Sequence, residues 1–399
     1  MTDPTPPPQP DRSSRALEQT IIGLYVLSEA QILGGITAIL RRTPATVAGR
    51  EATLPKIRRL TRQVVARLVY TSNDLVRQMV TAAVDEGSHD AIESVSKALV
   101  RSGGGAITPP PSGSGFGGSG NGIVRRGGEP FDFTMPHGER SARAIRADIE
   151  SELQDVRFRI TRLPEDIYKA IAPHGAIGQV LANGFTGAQA QAVAWRVFVQ
   201  EGVTGFTDKS GRDWALSSYV EMAVRTASTR AYNASHLERM HALGIHYFSV
   251  PDDGHPCPLC FPWEGKVLTD GHVANPEMPV DGTIGEATAA GLFHPNCRHV
   301  LTAVLPGFTV LPAPREWTPE MQQQYLDTQK QRRLEVAVRK AKRALEYAYT
   351  PAEQKKARGD VTAAQAKVRQ FVNANEHLVR QSRREQPNLT DAYAKLPVV

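Results

Sequence analysis

A mainly α-helical chain with one small metal-closed β module is the fold predicted by three features of the 399-residue sequence. Apolar residues recur at spacings of three and four over most of its length, the period of an amphipathic helix. A long run of Gly, Ser and Pro near residue 110 interrupts that pattern and cannot bury enough apolar surface to fold. All three cysteines lie in two short pieces between residues 257 and 297, beside histidines.

Residues 1–12 form a proline-rich arm, expected to be extended or disordered. No secretory signal is expected of a start that reads Met1-Thr-Asp-Pro before a proline run. Residues 13–101 read as an N-terminal helical domain. Its most apolar segment, Ile21 to Leu40, carries Glu29 and Gln31 at its centre. A charge there would be costly in lipid, so a buried or oligomer-facing helix is expected and no membrane contact. Leu60, Val64, Leu68, Leu75, Met79 and Val80 give a further helical stripe, with Gly49 and Gly87 as its punctuation. Residues 102–137 form the Gly/Ser/Pro linker, expected to let the N-terminal domain fold and dock apart from the remainder.

Residues 138–310 resume the helical pattern. Ile145, Ile149, Val156 and Ile160 suggest one long helix, and Pro164 the first turn of another. Helices follow around 175–200 and 213–243, and Gly244 stops the last of them. Ile245 to Val250, Lys266 to Leu268 and Val300 to Val304 read as strands of a small sheet within a module at about 245–305. Residues 315–386 predict an antiparallel coiled-coil hairpin. Thr318-Pro319-Glu320 starts one helix, Thr350-Pro-Ala-Glu353 caps the next, and Arg358-Gly359-Asp360 reads as a stop and restart. Leu334, Val338, Ala341 and Leu345 form one stripe; Val361, Ala364, Val368, Phe371, Asn375 and Leu378 form the other. Residues 387–399 are a tail.

Cys257-x2-Cys260 and His294-x2-Cys297 offer three thiolates and an imidazole, a complete tetrahedral set for structural Zn2+. His299 is the alternative fourth ligand, and His255 also competes. A redox Cys-x-x-Cys needs its first cysteine at a helix N-terminus, whereas Pro256, Pro258 and Pro262 surround this pair. A disulfide and an inert cluster remain as the bland readings. Asp252 and Asp253 read as a strand-end turn rather than as metal-bound carboxylates, and Glu221 with Arg225 as a helical i,i+4 pair.

The formal net charge is +6, and it is unevenly placed. Residues 330–385 hold 15 Lys and Arg against 6 Asp and Glu, so the rest of the chain is slightly acidic. Arg332, Arg333, Arg339, Lys340, Lys342 and Arg343 are the candidates for nucleic-acid contact; a solvated helical face is the plain alternative.

The segment Gly211-Arg212-Asp213-Trp214 through Tyr219, Glu221, Met222, Arg225 and Thr226 resembles the helix before the metal motif in tailed-phage minor capsid proteins. These are the Phage minor capsid protein 2 family and the broader Mu F-like head-morphogenesis group. The family then has Cys-x-x-Cys, a Trp/Leu-x-Gly-Lys strand and His-Pro-Asn-Cys-Arg-Cys. The chain supplies Cys257, Cys260, Trp263, Gly265, Lys266, His294, Pro295, Asn296, Cys297 and Arg298, and departs from the pattern at His299. A basic helix, Gln331 to Arg343, completes the resemblance over about residues 140–385.

The resemblance implies a non-enzymatic minor capsid or head-morphogenesis protein of a tailed bacteriophage. It implies association with the portal near that vertex of the virion, and contact with major capsid or scaffold protein. Several copies, a role in DNA packaging or ejection, and synthesis in the bacterial host cytoplasm follow from it. The Ala, Arg, Gly and Pro bias suggests a high-GC host. Two other classes compete. An HNH-like DNA nuclease would use His294, Asn296 and His299, but spacings of two and three are short for residues that must surround a catalytic ion. A plain basic DNA-binding protein would show steep salt dependence.

Overall fold

A computed structural model describes residues 13–43, 47–101, 139–171, 187–201, 206–207, 213–307, 309–313 and 315–386. The arm, the linker and the tail expected at 1–12, 102–137 and 387–399 lie outside the described residues, as does 172–186, where part of a helix was expected.

Eight helices carry the fold among these residues. They are α1 (Ser13–Arg42), α2 (Val47–Arg101), α3 (Glu139–Ile171), α4 (Gly187–Glu201), α5 (Leu216–Ala242), α6 (Ile284–Ala289), α7 (Pro319–Glu346) and α8 (Pro351–Asn373). Several are longer than the sequence suggests. Gly49, Pro55 and Gly87 all lie inside α2, Pro164 inside α3 and Gly359 inside α8. None ends its helix, because packing of an apolar face outweighs a local propensity cost of about 1 kcal/mol for glycine or about 3 kcal/mol for proline. The last stripe is also shorter than expected, since α8 stops at Asn373 before Asn375 and Leu378.

The chain divides into two compact units, each assembled from three separated segments where the sequence suggested consecutive blocks. One comprises Gln19–Leu75, Ser151–Glu221 and Leu326–Val399. Its core includes Ile21, Tyr25, Ile32, Leu33 and Ile36 of α1, with Leu153, Val156 and Ile160 of α3 and Trp195 of α4. Helix α1 is long and apolar enough to span a bilayer, yet 61% of its apolar window is buried inside the protein. Its central charge has a partner: Arg343 Nη1 of α7 lies 3.4 Å from Glu29 Oε1, both side chains about 5% exposed. A second buried cation is satisfied by neutral groups. Arg157 donates to Tyr25 Oη at 3.1 Å, Ser72 Oγ at 2.8 Å and Asn73 Oδ1 at 2.7 Å.

Helices α7 and α8 run antiparallel. Lys330 Nζ sits 4.4 Å over the Phe371 ring, and Asp327 lies 3.4 Å from His377. Thr350 caps α8 by accepting the Glu353 N–H at 3.3 Å. Residues beyond α8 then turn back along α7, where Gln331 donates to Val379 O and Arg339 to Arg384 O.

The other unit comprises Met1–Glu18, Val76–Glu150 and Met222–Tyr325. Its sheet has strand order β5-β4-β3-β6, from β3 (Tyr247–Ser249), β4 (Leu268–Thr269), β5 (Gly282–Thr283) and β6 (Thr302–Ala303). Three of these fall where strands were expected. The fourth, β5, pairs parallel to β4 and leads straight into α6, whose N-terminus is a capping box of Thr283 and Glu286. In the first-described unit a separate ribbon joins β1 (Phe206–Thr207) to β2 (Asp213–Trp214), and α5 begins at Leu216 rather than 213.

These strands are too short to stand alone. Their inner face packs against helices in one cluster that joins Ala91, Ile92 and Val95 of α2 to Met240 of α5, Phe248, Leu268, Cys260 and Cys297. Helix α2 therefore supplies part of the core of the cysteine module. Gly87 permits this approach. A Cβ built there would lie 2.3 Å from the backbone oxygen of Tyr232 and 3.2 Å from the backbone nitrogen of His236. Around this crossing Ser235 donates to Val84 O at 2.7 Å, Arg239 to Ser88 Oγ at 2.8 Å and Tyr232 to Asp90 Oδ2 at 2.7 Å.

Two glycines inside helices should thus respond oppositely. Gly87→Ala meets rigid backbone and should destabilise the protein by about 1–3 kcal/mol. Gly359→Ala meets nothing within 4 Å and should stabilise it by about 0.5–1 kcal/mol. Urea unfolding midpoints check both signs; a neutral Gly87→Ala would contradict the tight crossing.

Candidate metal centre

Two tight turns bring the cysteines together. In the first, Cys257 O accepts the N–H groups of Cys260 at 3.2 Å and Phe261 at 2.9 Å, and a single 3₁₀ turn follows over Phe261–Trp263. Gly265 at φ +70° then returns the chain, its N–H donating to Val250 O. In the second, the Cys297 N–H donates to His294 O at 2.8 Å. Phe293 (φ 60°) and Asn296 (φ 66°) both take left-handed backbone conformations that non-glycine residues rarely adopt. Such conformations persist where surroundings fix them, and the Asn296 N–H is held by Thr226 Oγ1 of α5 at 3.3 Å.

The expected donors converge. Cys257, Cys260 and His294 have ligand atoms mutually within 4.8 Å, as have Cys260, Cys297 and His299, with Cys260 common to both groups. Cys260 Sγ lies 3.7 Å from Cys297 Sγ, Cys257 Sγ 3.3 Å from His294 Nε2, and Cys297 Sγ 3.4 Å from His299 Nδ1. A tetrahedron with Zn–S of about 2.3 Å and Zn–N of about 2.0 Å has edges of about 3.8 Å between sulfurs and about 3.5 Å between sulfur and nitrogen. The donor set and these separations fit a zinc-sized ion. A disulfide does not describe the cysteines, which are all free.

Both candidate histidines have the second nitrogen engaged, as ligating imidazoles do. His294 Nδ1 lies 2.9 Å from Pro295 O. His299 is buried, and its Nε2 lies 3.2 Å from Glu264 Oε1 and 3.9 Å from Asp253 Oδ1. The Glu264 contact has ion-pair distance without hydrogen-bond alignment. His255, the other competitor, is exposed and turned onto the backbone of Asp253.

The electrostatics follow from the crowding. The Cys260 thiol is shared between its neighbours, and this hydrogen bonding lowers the Cys257 and Cys297 thiols while raising Cys260 itself. Burial disfavours a charge on His299, but the Cys297 sulfur and the Glu264 and Asp253 carboxylates beside it outweigh burial and raise the ring to about 10. Thiolates held this close favour a cation among them.

Two residues of this region gave no signal in the sequence. Glu264 is almost wholly buried, and its Oε2 accepts from Arg315 Nη2 at 2.7 Å. Arg315 also meets Asp252 at 2.6 Å, and Trp317 stands edge-on to Phe261 with ring centroids 5.2 Å apart. The segment before α7 is thereby fastened over the first cysteine turn. Asp252 and Asp253 each accept a backbone N–H two residues on, as the turn reading expects.

The six basic residues of α7 occupy different settings. Arg332 and Arg333 are exposed and Lys340 is partly so. Arg339 donates to Arg384 O and Lys342 to Gln386 Oε1, and burial lowers the pKa of both. Arg343 is buried against Glu29.

The long helices and the pair of cysteine turns define a mainly helical protein with a small Cys/His module. A profile of the Phage minor capsid protein 2 family matches residues 139–373, from the first residue of α3 to the last of α8 and more than half of the chain. The chain belongs to that family, and its role is structural, in the phage head. No curated protein and no solved structure matches it.

Proposed function

We propose that this protein is a non-enzymatic minor component of a tailed-phage head that associates with the portal and assists head assembly and DNA packaging or ejection. Its Cys/His module holds one structural Zn2+. Membership of the minor capsid family supports the head role, and the two donor groups, Cys257, Cys260 and His294 and Cys260, Cys297 and His299, joined at Cys260, support the ion. The metal would close a module whose strands are two or three residues long, so its binding energy becomes folding energy. Synthesis in a reducing cytoplasm keeps the thiols available to it. His294 and His299 both face sulfur, an arrangement suited to holding an ion rather than to activating a water on DNA. The exposed Arg332 and Arg333 with Lys340 are the part of the basic helix placed for packaged DNA or an acidic capsid surface.

The purified chain should contain one zinc by elemental analysis, and Cys297→Ser should lose both the ion and the fold of the module. Soluble, folded, metal-free protein with three freely reactive thiols would remove the zinc from this reading. Proheads purified from infected cells should carry the protein together with portal, in far fewer copies than major capsid protein. Portal-containing proheads without it would refute the portal assignment.

A further inference from the structure

A second cluster of metal-type donors lies in the same unit, separate in sequence and in residues from the cysteine turns. Helix α5 carries His241 in its last turn, and Gly244 at φ +71° turns the chain into β3, with His246 just before Tyr247. Tyr247 pairs with Thr269 of β4, so the next residue out, Asp270, falls opposite His246, and its N–H meets His246 O at 3.3 Å. Gly271 at φ +86° then folds His272 back over the same spot, its N–H donating to Asp270 Oδ1 at 2.9 Å. Antiparallel register and two left-handed glycines thus gather three imidazoles around one carboxylate.

The distances are those of a donor cluster. Ligand atoms of His241, His246 and Asp270 lie mutually within 4.8 Å. His246 Nδ1 is 2.7 Å from Asp270 Oδ2, and His272 Nδ1 is 3.5 Å from Asp270 Oδ1. The His241 ring centroid is 5.0 Å from that of His246 and 4.8 Å from that of His272. The Asp270 side chain is only 4% exposed, whereas that of His272 is 63% exposed, so the anchor is inside and the opening outside. A cleft of about 330 Å³ adjoins it, lined by His246, His272, Tyr247, Asn275, Glu277 and Val304. A His–Asp ion pair would need one imidazole; three from separate segments exceed that need.

We propose that His241, His246 and Asp270, with His272 as the outer donor, form a second metal site for a borderline divalent transition ion such as Ni2+ or Zn2+. Imidazoles with one carboxylate suit such ions, and the absence of thiolates separates this site chemically from the cysteine cluster. His246 and Asp270 are held at the edge of the sheet, while His241 and His272 are the exposed arms. The cleft leaves room for water or a further ligand to complete the coordination.

Isothermal titration of the full chain with nickel chloride tests this. One saturable site per chain is expected in the wild type. The double variant His241→Ala/His272→Ala, at two exposed rings, should bind at least about tenfold more weakly, as should Asp270→Asn, while His255→Ala binds as the wild type does. The zinc held by the cysteines, read as metal released when the three thiols are titrated with a mercurial, should match between the double variant and the wild type, which separates this site from the cysteine ion. Nickel should also raise the melting temperature of the wild type but not of the double variant. Absence of saturable binding in the wild type, or binding and thermal shift unchanged in the double variant, would overturn the proposal.

Discussion

The close crossing of α2 and α5 at Gly87 is the constraint on which the cysteine module depends. A helix pair separated by one missing Cβ brings Val84, Ser88 and Asp90 within hydrogen-bonding reach of Ser235, Arg239 and Tyr232. It also delivers Ala91, Ile92 and Val95 to the cluster around Phe248, Cys260 and Cys297. Without that wall, strands of two or three residues would expose the apolar face that carries Phe248 and Leu268. The left-handed Asn296, beside Cys297, is held from the other side of the crossing by Thr226 of α5. The family match begins at Glu139, so the part of α2 that completes the module lies outside it. Helix α2 is structurally tied to the matched region through this core.

The other unit is governed by a different device, the pairing of long helices around buried charge. Glu29 sits mid-way along the most apolar helix, and Arg343 answers it from a helix more than 300 residues away. Replacing such a pair by apolar side chains can be neutral, but removing one partner strands a buried ion. This makes the pair a means of fixing register between α1 and α7 more than a source of net stability. It also withdraws Arg343 from the basic face that the sequence shows, and the returning residues 374–386 engage Arg339 and Lys342.

The candidate donors were legible in the sequence because residues of metal-binding type show themselves by kind and spacing. Cys257, Cys260, His294 and Cys297 could be set out as a group, and three of the four module strands follow from β-branched and aromatic runs. Helix ends were less legible. Gly49, Gly87, Pro164 and Gly359 read as boundaries because propensity is local, whereas the helices continue because their apolar faces are buried over many turns. The consecutive domain blocks suffered from the same locality, since sequence does not show that Ala91 and Phe248 share a core. Glu264 and Arg315 act at a distance of 51 residues with no periodic pattern, and the meeting of His241, His246 and Asp270 depends on strand register. Neither was within reach of motif reading.

The central claim is that residues 76–95 of α2 belong to the same cooperative unit as the cysteine module. Native-state hydrogen exchange on the full chain under increasing denaturant tests it most directly, because segments that open together share one free energy. Amides of 76–95, of α5 from Met222 onward and of Tyr247 to Val250 should converge on a common opening isotherm. If the α2 amides exchange at much lower free energy while β3 stays protected, the module stands without α2 and the account is wrong.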